Sequence, residues 1–465
     1  MRPRPISGEA SLGFLARVAE ANGYNSILQL WQSLKTWENV TVALGLTSSE
    51  VECLFGCLPG YWRGADEISS ALTASDFNHA HLRWCPLCLM DTKHIRGIWM
   101  LKLCCVCTEH RILLHEKCPK CGSRQEIHRT MLERCVCGKR KTSGTIKAAP
   151  IDLIKITLAM EQSFYGLADQ SVLPALGIQN WLKLALYLGQ YTENNQPERP
   201  GQLLNLHEMD IALGVMTNVA NLLDQWPANF LQLLTTIHQQ NSEQTSLRKT
   251  FGKLLNVLYR QLYGLEFQFL RDAFEGYLIE HWQGLLCNRH RLFKKETVSG
   301  HPQLTIKKVA WLSQSPPSLV RHLIEAELVP GFQSHTAKKR RINAINRQQI
   351  HRIAELTKTS LNLLETAKSL QLPKRRVRLL IAAGIIKPLV SRSRFNAASW
   401  HIQKKELTKL WFKPELNDEK LPVVCISAIL KYWRLSDNEF TELVNALVSG
   451  ILKPVSGTKE RVPIG

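Results

Sequence analysis

Eight cysteine and histidine side chains fall in four close pairs between residues 85 and 138: Cys85-Pro-Leu-Cys88, Cys107-Thr-Glu-His110, Cys118-Pro-Lys-Cys121 and Cys135-Val-Cys137. Thiolate and imidazole are the donors Zn²⁺ prefers, and a short spacer lets both donors of a pair face one ion. Two pairs brought together by a loop complete one tetrahedral site. The simplest assignment is therefore two structural Zn²⁺ ions, one held by Cys85, Cys88, Cys107 and His110, the other by Cys118, Cys121, Cys135 and Cys137. Four protein donors leave no position for a reactive water, so such sites fold the chain and do not catalyse. Gly122 and Gly138 supply the turns after Cys121 and Cys137. One alternative stays open: Cys104-Cys-Val-Cys107 has the same spacing, so Cys104/Cys107 could replace Cys107/His110, with Cys105 surplus either way. A disulfide cluster is disfavoured, because Met1-Arg-Pro-Arg-Pro-Ile-Ser-Gly8 lacks the apolar stretch of a secretory signal and the thiols are expected to stay reduced in the cytoplasm.

Other chemistry finds few candidates. There is no Gly-x4-Gly-Lys-Ser/Thr phosphate loop, no His-Glu-x-x-His and no Gly-x-Ser-x-Gly. Asp and Glu number 39 against 59 Lys and Arg and are scattered, so a non-enzyme is expected. His79 and His81, flanking the first Cys pair, read as surface residues or as partners behind the metal ligands. Cys53 and Cys57 read as core residues four apart on one helix.

The formal net charge of +20 points to a polyanionic partner, of which nucleic acid is the commonest. Residues 301–465 hold 28 Lys and Arg against 12 Asp and Glu, so most of that surplus lies at the C-terminal end. The same region repeats itself. Ala310-(x9)-Val320-Arg-His-Leu-Ile aligns with Ala367-(x9)-Val377-Arg-Leu-Leu-Ile, with Pro316 and Pro373 at one offset, and Gly384-Ile-Ile-Lys-Pro388 recurs as Gly450-Ile-Leu-Lys-Pro454. Each copy predicts a short helix, a turn, a second helix and a hairpin, which together describe a winged helix-turn-helix unit. The second helices carry Ser318, Arg321 and His322, then Lys374, Arg375, Arg376 and Arg378, and are expected to face the major groove of double-stranded DNA. The hairpins carry Lys338, Lys339, Arg340 and Arg341, then Arg392 and Arg394, and are expected to grip phosphates. A single basic helix would read as a solvated face; three copies in the most charged segment read as DNA-binding units. In the third copy Asp437, Glu439 and Glu442 make the second helix acidic, which suits a protein partner as well as DNA.

The elements that must carry these groups are mostly helical. Leu12, Leu15, Val18 and Ala19 recur at helical spacing before Asn22-Gly23, and Val40–Leu44, Gly45 and Glu50–Leu54 predict a second helix-turn-helix-like pair. Between 146 and 300, amphipathic helices are predicted over 151–165, 179–190, 203–223 and 251–278, with Pro227 at a first helical position. The aromatic residues there, Trp181, Trp226, Tyr259, Tyr263, Phe267, Phe269 and Trp282, read as core. No apolar run is long enough to span a membrane. The expected fold class is mainly α: an N-terminal helical segment (1–80), a double zinc-ribbon-like module (81–145), a helical middle domain (146–300) and C-terminal tandem helix-turn-helix units at 301–360, 361–415 and 416–465.

Glu9-Ala-Ser-Leu-x-Phe-Leu-x-Arg-Val-Ala-x-x-Asn-Gly23, Arg83-Trp-Cys-Pro-x-Cys-Leu89, Trp99, Cys107-x-x-His110-x-x-x-Leu114, Cys118-x-x-Cys-Gly122 and Cys135-x-Cys-Gly138 resemble the TniQ family of transposon target-selection proteins, with its TnsD-like members. The similarity is specific through residue 138 and diffuse to about residue 300. It favours Cys107/His110 over Cys104/Cys107. It implies a non-catalytic adaptor of a bacterial transposition system that recruits an AAA+ ATPase of the TnsC/TniB type. Some family members read a DNA site themselves and others dock on a CRISPR effector complex; the C-terminal repeats favour direct reading. A zinc-containing transcriptional regulator is the rival expectation, and a homodimer is compatible with the sequence.

Overall fold

The computed structural model describes residues 1–58, 61–63, 72–126, 131–167, 175–192, 196–203, 205–242, 246–286, 292–335, 341–390, 400–413, 415–416, 424–456 and 462–464. It is mainly helical and divides into two compact units, Met1–Tyr277 and Leu278–Gly465. Among the described residues no helix is long and apolar enough to cross a membrane.

The first unit opens on a two-residue strand β1 (Glu9–Ala10) and helix α1 (Ser11–Ala21), whose Leu12, Phe14, Leu15, Val18 and Ala19 are buried. A Cβ on Gly13 would stand 2.8 Å from Ile95 Cβ, so the helix passes closer to its neighbour than alanine allows. Ser26 and Thr36 cap helices α2 (Ile27–Leu34) and α3 (Trp37–Leu44), and Gly45, at φ +60°, ends α3. Helix α4 (Ser48–Glu52) starts in a Thr47/Glu50 capping box but stops after five residues. The chain then enters strand β2 (Leu54–Leu58), which pairs in parallel with β1 and antiparallel with β3 (Tyr61–Arg63). Cys57 therefore sits on a strand opposite Trp62, not one helical turn from Cys53 as the spacing suggests; sheet pairing overrides the four-residue period.

Helix α5 (Pro86–Asp91) and the hairpin β4 (Val106–Cys107) with β5 (Ile112–Leu113) follow, over a core containing Trp84 and Trp99. Next come α6 (Ile151–Phe164), α7 (Ile178–Leu188), α8 (Met209–Leu223), α9 (Ala228–Gln240) and α10 (Leu247–Asn256). Pro227 precedes α9 as its capping residue after a cis Trp226–Pro227 bond, one position earlier than expected. The helix predicted over 251–278 is two: α10 passes through a π turn (Val257–Gln261), breaks, and resumes as α11 (Gln268–His281). The physical cause is visible at the break. Buried Arg271 donates to the carbonyls of Leu262 (2.5 Å) and Gly264 (2.7 Å), satisfying the groups an interrupted helix leaves open. Trp181, Phe267 and Trp282 are core as expected, whereas Tyr263 is exposed at the break.

The second unit contains the repeated segment. Strand β6 (Gln303–Thr305), helices α12 (Ile306–Leu312) and α13 (Pro317–Glu325), and strands β7 (Phe332–His335) and β8 (Arg341–Asn346) form the first copy, with β8 central in the sheet. After α14 (Ile350–Lys358), strand β9 (Ser360–Asn362), α15 (Leu363–Ser369), α16 (Lys374–Ala382) and β10 (His401–Gln403) form the second, with β9 paired to β10. The third comprises β11 (Trp411–Phe412), β12 (Glu415–Leu416), α17 (Ile426–Tyr432), α18 (Asp437–Val448), β13 (Val455–Ser456) and β14 (Val462–Pro463), paired β11 with β14 and β12 with β13. The copies share backbone landmarks. The residue turning between paired helices is left-handed in all three, Gln314 (φ +50°), Gln371 (+55°) and Arg434 (+47°), and so is the residue ending each second helix, Glu327 (+55°), Gly384 (+74°) and Gly450 (+78°). Beyond it Val329, Ile386 and Leu452 donate their N–H groups to Leu323, Leu380 and Ala446.

Candidate metal centres and nucleic-acid interface

Helix α5 and the β4–β5 turn build the first cluster. Cys85 caps the helix and its Sγ accepts from the Cys88 N–H (3.5 Å), with Pro86 presetting the first turn, so both thiols face one side. Arg111, at φ +55°, closes the turn that folds His110 back toward Cys107. The donor atoms of Cys85, Cys88, Cys107 and His110 all lie within 4.8 Å of one another. Cys88 Sγ is 3.6 Å from Cys107 Sγ, and His110 Nδ1 is 3.6, 3.2 and 3.7 Å from the sulfurs of Cys85, Cys88 and Cys107. A tetrahedron with metal–sulfur bonds of ~2.3 Å has edges of roughly 3.8 Å, slightly shorter where nitrogen replaces sulfur, so the separations fit one central ion. The three thiols are buried, and the crowding divides them. Hydrogen bonds from Cys107 and Cys88 hold the Cys85 thiol down to about 3, while Cys107 and Cys85 push Cys88 upward. A cation at the centre would take the place of the contested protons.

Cys104 is no part of this group. Its Sγ lies 3.7 Å from the Val106 carbonyl, and burial raises it well above the usual thiol range; Cys105, also buried, is pushed up to about 11. Behind the cluster, His110 Nε2 lies 3.0 Å from Asp91 Oδ2. That carboxylate fixes the tautomer in which Nδ1 is free to ligate. Sequence reading missed Asp91, although its place three residues after Cys88, the spacing of one helical turn, was a usable signal.

The second cluster is built from turns. Gly122 (φ +69°) and Gly138 (φ +80°) reverse the chain after each pair, and the four Sγ atoms of Cys118, Cys121, Cys135 and Cys137 again lie within 4.8 Å of one another, with Cys118–Cys137 at 3.6 Å and Cys121–Cys135 at 3.7 Å. Ser123 Oγ stands 3.0 Å from Cys121 Sγ, and Gln125 Nε2 donates to Cys135 Sγ (3.3 Å). Cys121 and Cys137 are exposed, unlike any thiol of the first cluster. Both groups can hold a metal ion, and their donors are those a structural zinc takes. His79 is exposed and His81 half-buried; neither enters a cluster.

The residues expected at DNA divide by exposure. Ser318 and Arg321 on α13, and Lys374, Arg375 and Arg378 on α16, are exposed. His322 is only 3% exposed, so it is not presented on the surface. Arg376 is half-buried, its guanidinium turned to the third copy. Arg341 opens β8, whereas Lys338, Lys339, Arg340, Arg392 and Arg394 lie outside the described residues.

No curated protein matches the chain. Its first 114 residues, which hold the N-terminal helices and all four donors of the first cluster but stop before the second, match the TniQ family model, so this is a transposition-associated protein carrying a TniQ domain.

Proposed function

We propose that this chain is a non-catalytic target-site selector of a bacterial transposition system, working in the cytoplasm. In this reading two Zn²⁺ ions, one in each Cys/His cluster, fix the fold of the N-terminal part, which presents a docking surface to an AAA+ ATPase of the TnsC/TniB type and through it to the transposase. Both clusters use four protein donors, which supports a folding role for the metal. The units at 301–360, 361–415 and 416–465 are helix-turn-helix modules, and the first two read double-stranded DNA.

The observation that carries this reading is one of register. Arg321 and Arg378 occupy equivalent positions on the second helices of two tandem units, and both are exposed. Exposed arginines at matching positions of two tandem units, in the segment with most of the positive charge, suit a long asymmetric site. Phosphate contacts give the affinity, which falls steeply with salt, and the helices give discrimination.

Protection mapping on genomic fragments, repeated with the ATPase added, tests the proposal. A long footprint at one locus that retains the ATPase is expected. Copurification with a CRISPR effector and no footprint of its own would replace this reading with an RNA-guided adaptor. A footprint that retains no ATPase would make the chain a regulator.

A further inference from the structure

The basic residues of α16 face two ways. Aligned on the valines, Lys374, Arg375, Arg376 and Arg378 correspond to Pro317, Ser318, Leu319 and Arg321 of the first copy. Leu319 is fully buried in the apolar core built around that copy, with Val309, Val320 and Leu323. Position 376 is therefore a packing position that holds an arginine.

What it packs against is the third copy. Arg376 donates to the Leu430 carbonyl of α17 (2.6 Å), and its guanidinium carbon lies 5.0 Å from the ring centre of Phe440, which is 2% exposed on α18. Arg375 reaches Asp437 at 3.3 Å. Phe440, Val444 and Leu447 share one apolar core with Val377, Leu380 and Ile386 of the second copy. The acids at the start of α18, Asp437, Glu439 and Glu442, are exposed and would repel a phosphate backbone.

We infer that the third copy is not a third DNA-reading head but a platform locked to α16, and that Arg376 is a positioning residue which sets the angle at which Lys374 and Arg378 meet the duplex. This deepens the DNA-binding reading above and rests on it. Two heads read the site, and the second is held in place from behind.

The test uses the full-length chain, the duplex defined by protection mapping and a salt titration. Lys374→Ala and Arg378→Ala each flatten the dependence of log K on log salt concentration by about 0.9, the value for one phosphate contact. Arg376→Ala weakens binding to the preferred duplex about tenfold without changing that slope. Arg376→Lys does not restore it, because an ammonium lacks the flat fork that stacks on a ring while donating to a carbonyl. Phe440→Leu reproduces the loss, and Lys431→Ala with Arg434→Ala leaves affinity and slope alone. The inference is overturned if Arg376→Ala flattens the slope and lysine rescues it, or if removing Lys431 and Arg434 flattens it. Should the unmodified chain bind no duplex, the DNA reading falls and the platform is judged by hydrogen exchange. Arg376→Ala and Phe440→Leu should then speed exchange along α16 and leave α13 unchanged; unaltered exchange in α16 sinks it.

Discussion

Asp91 tests whether His110 is a working ligand. The carboxylate stands 3.0 Å from His110 Nε2, on the side of the ring away from the sulfurs, and no other described contact holds that nitrogen. Asp91→Ala leaves the four donors intact and frees the ring to rotate. Loss of such a supporting carboxylate typically weakens metal binding between ten- and a hundredfold, or about 1.4 to 2.7 kcal/mol. The Asp91 side chain is 59% exposed, so water takes over part of its role and the lower end applies, about tenfold. Competition with a chromogenic chelator should show two release steps in the unmodified protein, and Asp91→Ala should weaken only the step that His110→Ala abolishes. Cobalt substitution gives an independent reading, since ring rotation alters the ligand-field bands of a three-sulfur, one-nitrogen site and not of a four-sulfur one. An unchanged first step, or a change confined to the second, would refute His110 as a ligand oriented by Asp91.

Acid should weaken the second unit first near its buried histidines. His301 is fully buried and neutral, with Nδ1 accepting from the Gln303 N–H (3.2 Å) and Nε2 donating to the Leu278 carbonyl (3.2 Å), and burial holds its pKa below the ordinary 6.5. A depressed histidine pKa means the unfolded chain binds the proton first, so stability is intact above about pH 6.5 and is lost as pH falls below it. Denaturant midpoints between pH 8 and 5 should show this, with a smaller fall in His301→Gln. The left-handed ends of the second helices make a paired prediction: Gly384→Ala should cost about 1 to 2 kcal/mol, while Glu327→Gly should gain up to about 1 kcal/mol. Thermal or denaturant unfolding checks both, and equal effects at the two sites would show that the copies do not share this geometry.

The helical character and the grouping of metal donors were legible because both are local. Leu12, Leu15 and Val18 mark a buried face by spacing alone, and Cys85-Pro-Leu-Cys88 fixes two donors within one helical turn. The failures involve groups that meet across the chain. Cys57 lies on a strand rather than a helix, opposite Trp62, and the same strand pairs at Leu54 and Phe55 with Glu9 and Ala10, far away in sequence. The helix over 251–278 broke where Arg271 satisfies carbonyls its apolar period does not register. His322 and Arg376 carry groove-facing residue types at positions whose register turns them inward: His322 is buried, and Arg376 aligns with the fully buried Leu319.

Those equivalent positions show how a recurring helix pair acquires different work. Leu319 seals a core built mostly from its own copy. Arg376, at the same place in the second copy, is too long and too polar to end there and extends to a carbonyl and a ring in the third. Counted from the left-handed turn residues Gln371 and Arg434, Glu439 takes this place in the third and turns back to the start of its own helix, where its carboxylate accepts from the Ser436 N–H (2.8 Å) and completes a capping box. Each side chain satisfies the same backbone position differently, by burial, by bridging and by capping. The bridging choice in the middle copy couples the second and third through a shared core, while the core of the first takes in only Val390, with Leu389 packed against it, from the second. A substitution at position 376 should therefore be felt in the second and third copies, and one at position 319 in the first and, at Val390, the edge of the second.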